Sequence, residues 1–382
     1  TMHEDLDYFT NRNEIPHDGI DNDGNGAIDD YRGWNVGYNN NHLAGSNPSH
    51  GMAVCGGIAA KGNNSKGVAG VAWNCKLLPL NKIDSIEYSI QAFEYIIKMK
   101  RLYYSSNKQK GAYIVAINYS LGTEGFLPED EPLWCAIFDS LGKVGILSIN
   151  AASDVDGNSE SLKDMPILCN SPYMINVTTY NRISLGLNGR AYSNKYVHLA
   201  AMGQYFTTRT NNQYGLQSAE GTSFAAPLVT GAVALIYSNF KINFLDSIAN
   251  YPELAVLKIK NSIIKGVDTT DLLTGKVVSN GKLNLYKSII LARKLGVATP
   301  TVGIQEVNDN TLLYSYNKSI VIKKRNLKPL YFNLYNLMGQ MVMSKIIDQS
   351  DEILDASALS EGIYIATYYQ NETIFTTKIE LR

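Results

Sequence analysis

Gly221-Thr-Ser-Phe-Ala-Ala-Pro227, running on into Leu228-Val-Thr-Gly231, places a serine just after a glycine turn and at the head of a run of small and apolar residues. That run predicts a helix from Thr222 through Tyr237 that is apolar around most of its circumference, and so is buried among other elements. The first N–H groups of such a helix have no intrahelical acceptor, and its N-terminal end carries partial positive charge. An oxyanion formed beside Ser223 would be stabilised there, which suits a nucleophile. The competing use of a serine at this place is a simple helix cap.

Around this helix the chain alternates between strand and helix patterns. Gly51 to Ala60 reads as a buried helix of small residues, Cys75 to Asn81 as a short strand, and Ile86 to Tyr104 as an amphipathic helix. Tyr113 to Asn118 and Val144 to Ile149 are strands apolar enough to be buried on both faces, with a helix between them at Leu133 to Leu141. A strand at Met174 to Thr179 and helices at Pro252 to Ile264 and Leu283 to Leu295 continue the pattern. The fold class expected is α/β, a largely parallel sheet flanked by helices. Ala298-Thr-Pro-Thr-Val-Gly303 then breaks the pattern as a linker does. Beyond it, Tyr331 to Asn336, Met341 to Ile347 and Gly362 to Tyr369 alternate with a period of two, separated by turn signals at Met338-Gly339 and Ser360-Glu-Gly362. These predict a small all-β sandwich. The organisation expected is a first domain over 1–297, a linker at 298–302 and the sandwich over 303–382.

Composition limits the classes of function. Of 382 residues, 45% are hydrophobic and 18% charged, a balance that supports a globular protein with a large core. The 34 basic and 35 acidic side chains leave a formal charge of −1, so no long-range field draws the protein to nucleic acid or to an anionic membrane. No apolar run approaches the ~20 residues of a membrane-spanning helix. Cys55, Cys75, Cys135 and Cys169 are far apart and form no C-x-x-C pair, so they read as small buried hydrophobes rather than as a zinc site or a disulfide framework.

The serine stretch matches the G-T-S-x-A-x-P signature of the subtilisin-like serine proteases, and other segments resemble that family in the family's order. Ser49-His-Gly-Met-Ala-Val-Cys-Gly-Gly57 resembles its histidine block, departing at Met52, Ala53 and Cys55, and Gly67-Val-Ala-Gly-Val-Ala72 resembles the segment that follows. Asn118-Tyr-Ser-Leu-Gly122 is similar to the strand that pairs with the substrate backbone and lines the primary specificity pocket. Tyr192-Ser-Asn194 is similar to the segment leading to the serine helix. The resemblance spans His3 to about Ile290. It implies a serine endopeptidase in which Ser223 attacks the scissile carbonyl and His50 takes and returns the proton, a role open to a neutral imidazole near pH 7. It also implies that Ser120, Leu121 and Gly122 hold a protein or peptide substrate.

Two departures bear on activity. The family's third triad member lies in a D-T-G or D-S-G turn just before an H-x-D-L stretch. His3-Glu-Asp-Leu6 looks like that stretch, so the aspartate is expected before Thr1, in residues outside this sequence, as are any signal or propeptide. In Gly145-Ile-Leu-Ser-Ile-Asn-Ala-Ala-Ser-Asp154, the residue in the place of the oxyanion-hole asparagine is Asp154. A carboxylate accepts hydrogen bonds and repels developing negative charge, so either Asp154 is protonated by desolvation or turnover is weakened. The alternative function is therefore a subtilase-derived peptide-binding protein with little or no catalysis.

Asp18-Gly-Ile-Asp-Asn-Asp-Gly-Asn-Gly-Ala-Ile-Asp-Asp30 spaces Asp21, Asp23 and Asn25 at alternate positions with Asp29 beyond, the first half of a calcium-loop pattern. Arg32 stands where an EF-hand has its terminal Glu, so the loop is not that motif. Similar loops occur among subtilases, and a structural Ca2+ is the cofactor expected; a solvated turn is the other reading. The loop lacks histidine, which disfavours a metal-dependent hydrolase. Finally, Tyr331 to Val342 and Leu359-Ser-Glu-Gly-Ile-Tyr-Ile-Ala-Thr367 resemble the C-terminal sorting domains recognised by type IX secretion machinery. That resemblance implies a protein released from, or held on the surface of, a Gram-negative bacterium.

Overall fold

A computed structural model describes residues 2–43, 48–181, 187, 189–216, 220–239, 252–295, 305–308, 311–316, 318–324, 329–336, 338–370 and 373–381. The chain divides into two compact units, Thr1–Gly296 and Val297–Arg382. The linker expected at 298–302 lies outside the described residues.

In the first unit the strands are β1 (Trp34–Asn35), β2 (Leu80–Asn81), β3 (Ala116–Tyr119), β4 (Leu147–Ala151), β5 (Met174–Tyr180), β6 (Leu199–Met202), β7 (Phe206–Arg209), β8 (Gln213–Leu216), β9 (Asp268–Thr269) and β10 (Gly281–Lys282). The helices are α1 (Pro48–Ala59), α2 (Ile86–Ser105), α3 (Pro132–Lys143), α4 (Ser159–Leu162), α5 (Thr222–Ser238), α6 (Pro252–Lys265) and α7 (Leu285–Leu295). The main sheet runs β3-β4-β5-β6-β10-β9. It is parallel from β3 through β10, with register Ala116↔Leu147, Ser148↔Met174 and Val177↔Leu199, and β9 joins it antiparallel. Consecutive parallel strands need crossovers; α3 lies between β3 and β4, and α5 and α6 lie between β6 and β10.

Burial follows from composition. β4 is buried at all five positions, because helices cover both of its faces. On one face Val229, Val233 and Ile236 of α5, with Val256, Ile259 and Ile263 of α6, pack on Leu147, Ile149, Ile175 and Val177. On the other, Phe93 and Ile97 of α2 and Trp134, Phe138 and Leu141 of α3 pack on Ile117, Ile146 and Met174. The expected α/β architecture is the one observed, and the expected strands and helices are found with ends moved by a few residues. One expectation is corrected. Cys135 of α3 and Cys169 form a disulfide with Cα atoms 4.9 Å apart, whereas Cys55 and Cys75 are free thiols. A separation of 34 residues carries no pairing signal in sequence, and only the fold brings the two together.

Among the described residues, the second unit has two antiparallel four-stranded sheets. β11 (Gln305–Asn308), β12 (Thr311–Tyr316), β13 (Ser319–Lys324) and β16 (Asp351–Asp355) make one, and β15 (Met341–Ile347), β14 (Leu330–Tyr335), β17 (Gly362–Gln370) and β18 (Thr373–Leu381) make the other. Leu313, Ile320, Ile322 and Leu354 of the first sheet and Leu330, Phe332, Leu334, Ala366 and Tyr368 of the second share one core, so the unit is a sandwich. Among the described residues no helix is long and apolar enough to cross a membrane.

Candidate active site

Gly221, just before α5, is extended at φ −162° and ψ 154° and offers no side-chain cap; the Phe224 and Ala225 N–H groups go to its carbonyl, and the Thr222 N–H goes to Asp154. Ser223 sits in that first turn. Its Oγ donates to the Ser120 carbonyl at 3.3 Å, and the Ser120 Oγ donates to the Ser223 carbonyl at 2.8 Å. The second bond has a cause in the sequence. Pro227 stands four residues on and has no N–H to give the Ser223 carbonyl, so the Ser120 hydroxyl supplies the missing donor. The Ser120 hydroxyl is itself held by the Asn118 amide at 2.9 Å, and Asn118 accepts from Thr230 Oγ1 of α5 at 3.0 Å. One polar chain therefore fixes the serine turn against the end of β3.

His50 lies in the first turn of α1, and its ring centroid is 5.5 Å from that of Phe224, the residue after Ser223. Burial pulls the imidazole below its ordinary pKa of 6.5, and the negative charge of Asp154 opposes that pull. The ring is neutral at pH 7 and able to accept a proton. α1 is positioned by the β7–β8 hairpin, whose Thr207 and Thr208 hydroxyls donate to the carbonyls of Ala53 and Met52 at 2.8 and 2.7 Å. Gly56 permits this approach, since a Cβ there would meet both Thr hydroxyls at 2.3 Å.

Asp154 stands at the same helix end. Its Oδ1 accepts the Thr222 N–H at 2.9 Å and the Thr222 hydroxyl at 3.1 Å, and lies 2.9 Å from Arg190 Nε. The Arg190 guanidinium also donates to the carbonyls of Glu220 and Gly189. The side chain of Asp154 is 52% exposed, and an ion pair and a helix N–H are the partners of a carboxylate. Arg190 is a site residue that sequence reading missed. Nothing local in Gly189-Arg-Ala191 marks it as a partner of a residue so far upstream.

Ser120 is buried, whereas Leu121 and Gly122 are exposed beyond the end of β3, the outer strand of its sheet among the described residues. Thr123 pairs with Met165 through two backbone bonds of 2.9 and 2.8 Å. A Cβ on Gly122 would lie 2.9 Å from the Met165 carbonyl, so glycine alone fits there.

The acidic loop brings Asp21 and Asp23 together with Glu14, each offering an oxygen within 4.8 Å of the others. The loop winds on its own side chains. Asp21 accepts from the N–H groups of Gly24, Asn25 and Gly26, and Asp23 accepts from Asn25 N–H and the Asn11 amide. Asn25 is employed otherwise, its amide donating to Asp30 and its Oδ1 accepting from Ala27 N–H. Asp29 accepts from the N–H groups of Asp18 and Gly19 on the exposed side. Glu14 is 4% exposed, and its Oε2 is buried with no hydrogen-bond partner. Burial, and then the Asp30 and Asp23 carboxylates, push its pKa up. A buried, unpartnered carboxylate oxygen among like charges fits a bound cation. Glu14 lies outside the spaced motif, which is why the pattern alone does not pick it.

Residues 1–273 match the family model described as the subtilase family, and residues 316–381 match the secretion system C-terminal sorting domain. Over 305 residues the chain is 30% identical to subtilisin-like protease 1 of Plasmodium falciparum, covering 72% of this chain and 39% of that protein. It is 27% identical over 289 residues to the extracellular basic protease of Dichelobacter nodosus, covering 72% and 44% respectively. The chain thus spans about two-fifths of the length of these relatives. Among solved structures, the maturation protease PagA aligns with a TM-score of 0.50 and 18% identity over 75% of this chain and 91% of that one. The subtilase cytotoxin SubAB assembly aligns with a TM-score of 0.50 and 21% identity over 65% and 78%, a likeness of fold.

Proposed function

The chain belongs to the subtilase family, and from that premise we propose that it is a secreted serine endopeptidase that cleaves peptide bonds through an acyl-enzyme. Ser223 Oγ attacks the scissile carbonyl, and His50, neutral at pH 7, accepts the proton and returns it to the leaving amine. The Ser223 N–H, in the first turn of α5, faces the developing oxyanion. An extended peptide lies along Ser120, Leu121 and Gly122 as an added strand. Asp154 borders the oxyanion site and, as a carboxylate, lowers turnover. The observation that carries this reading is the junction of the two helices: the His50 ring packs against Phe224, and Ser223 stands in the first turn of α5.

The test uses the complete open reading frame. A fluorophosphonate serine-hydrolase probe is expected to label Ser223, and casein cleavage and labelling are both expected to disappear in Ser223→Ala. Peptide binding without labelling or cleavage would replace this reading with the non-catalytic one.

Calcium is the cation proposed for the loop, held by Glu14, Asp21 and Asp23, with Asn25 and Asp29 shaping the turn around it. Its role there is structural, since a divalent ion neutralises the convergent carboxylates. The sorting domain supports export to the medium or the cell surface, with type IX machinery as the proposed partner.

A further inference from the structure

Cys55 and Cys75 are free thiols on two segments that share one core. Cys55 lies on α1 between Val54 and Ile58, three residues from the latter and so on the same helix face. Cys75 lies two residues before Leu77, at the end of the turn that its N–H closes on the Ala72 carbonyl. Leu77, Val54 and Ile58 belong to one buried cluster, and both cysteines pack against it beside Tyr8. The connecting chain holds the two segments in place. Gly70, Val71 and Ala72 donate to the carbonyls of Ala60, Gly57 and Ile58, and Cys75 N–H returns to Ala72. The same chain already joins Cys135 to Cys169, so it matures where thiols oxidise.

We propose that Cys55 and Cys75 form a second disulfide, tying the helix that carries His50 to the segment that follows the Gly67–Ala72 loop. The reaction is thiol–disulfide exchange. The two thiols lose two protons and an electron pair, one S–S bond forms, and the partner disulfide, of a protein oxidant or oxidised glutathione, leaves as two thiols. Burial pushes the folded thiols up to about 12 for Cys55 and about 11 for Cys75, with few thiolates to start exchange, so the bond forms while the chain is folding. The inference stands independently of catalysis.

The test is a peptide map of the full protein, refolded in a glutathione redox buffer until Cys135 and Cys169 are linked, then denatured, alkylated with iodoacetamide and digested with trypsin. The expected result is a linked pair of peptides ending at Lys61 and Lys76, separated by reductant and absent from Cys75→Ser. Alkylated Cys55 and Cys75 beside an intact Cys135–Cys169 link, or either thiol joined to a different cysteine, overturns the proposal.

Discussion

Asp154 concentrates the chemistry of the site in one side chain. A carboxylate at the head of α5 takes the Thr222 N–H and pairs with Arg190, which settles the helix end; in the proposed mechanism it also places negative charge where the reaction develops more of it. An asparagine keeps one oxygen for Thr222 and turns an N–H₂ toward the oxyanion. Asp154→Asn is therefore expected to raise kcat on casein at pH 7 to 8 by about tenfold or more, against the ~10²–10³ that one oxyanion donor supplies in subtilisin. The gain should persist at every pH where His50 is neutral, and because the Asp154 charge raises the His50 pKa, Asp154→Asn should keep its activity to a lower pH than the unmutated protein, both falling as His50 protonates below its ordinary 6.5. The loss of the ion pair should cost at most about 1 kcal/mol, since half of Asp154 faces water. Equal kcat values for the two proteins would place Asp154 outside the oxyanion's reach.

Helices and loops show where sequence reading reaches and where it stops. α5 was legible because glycine, serine and proline fall at positions with fixed backbone consequences, and β4 and β5 because short stretches rich in apolar and β-branched residues, alternating with helical segments, read as interior strands. The β7–β8 hairpin that holds α1 went unread, since Thr207 and Thr208 act through hydroxyl bonds to a helix distant in sequence. Glu14, Arg190 and the Cys135–Cys169 bridge were hidden for the same reason, as partners that only folding brings near. α2 holds another such case. Lys100 is 1% exposed, its Nζ donates to the Ile114 carbonyl at 2.6 Å and stands 3.7 Å over the Tyr113 ring, and burial pulls it down from 10.5 to about 7. Between those two values the unfolded chain holds the proton and the folded one does not, so stability rises with pH across the window and is lost as pH falls through it. Lys100→Met is expected to stabilise by on the order of 1–3 kcal/mol at pH 6 to 7, with the gap closing toward pH 10, read from urea unfolding at each pH. A gap that stays constant with pH would mean that Lys100 keeps its charge. The acidic loop makes a separate prediction. Calcium should raise the melting temperature by several degrees, about 2.7 kcal/mol at 100 times Kd, and Glu14→Gln should weaken the effect more than Asp29→Asn. An unchanged melting curve in EDTA would leave the loop a turn.

The whole molecule joins two units that solve burial separately. The peptidase unit buries a parallel sheet between helices, and the terminal unit buries the inner faces of two antiparallel sheets around Phe332, Leu334 and Tyr368. The match to a secretion sorting domain lies wholly within the terminal unit. Residues 305–382, fused behind a periplasmic reporter in a bacterium with type IX machinery, are therefore expected to bring the reporter to the medium or the cell surface. If the export machinery reads the folded sandwich rather than a short peptide, export depends on the core. Phe332 is fully buried, and removing such a ring costs about 3–5 kcal/mol, comparable with the entire stability of a unit this small. Phe332→Asp should hold the reporter in the periplasm, while Phe332→Leu, which keeps the core apolar, should retain most export. Fractionation and immunoblotting of the three fusions decide the matter. A reporter left in the periplasm by the unmutated domain would refute its role in export, and export surviving Phe332→Asp would show that the machinery reads a linear segment instead of the sandwich.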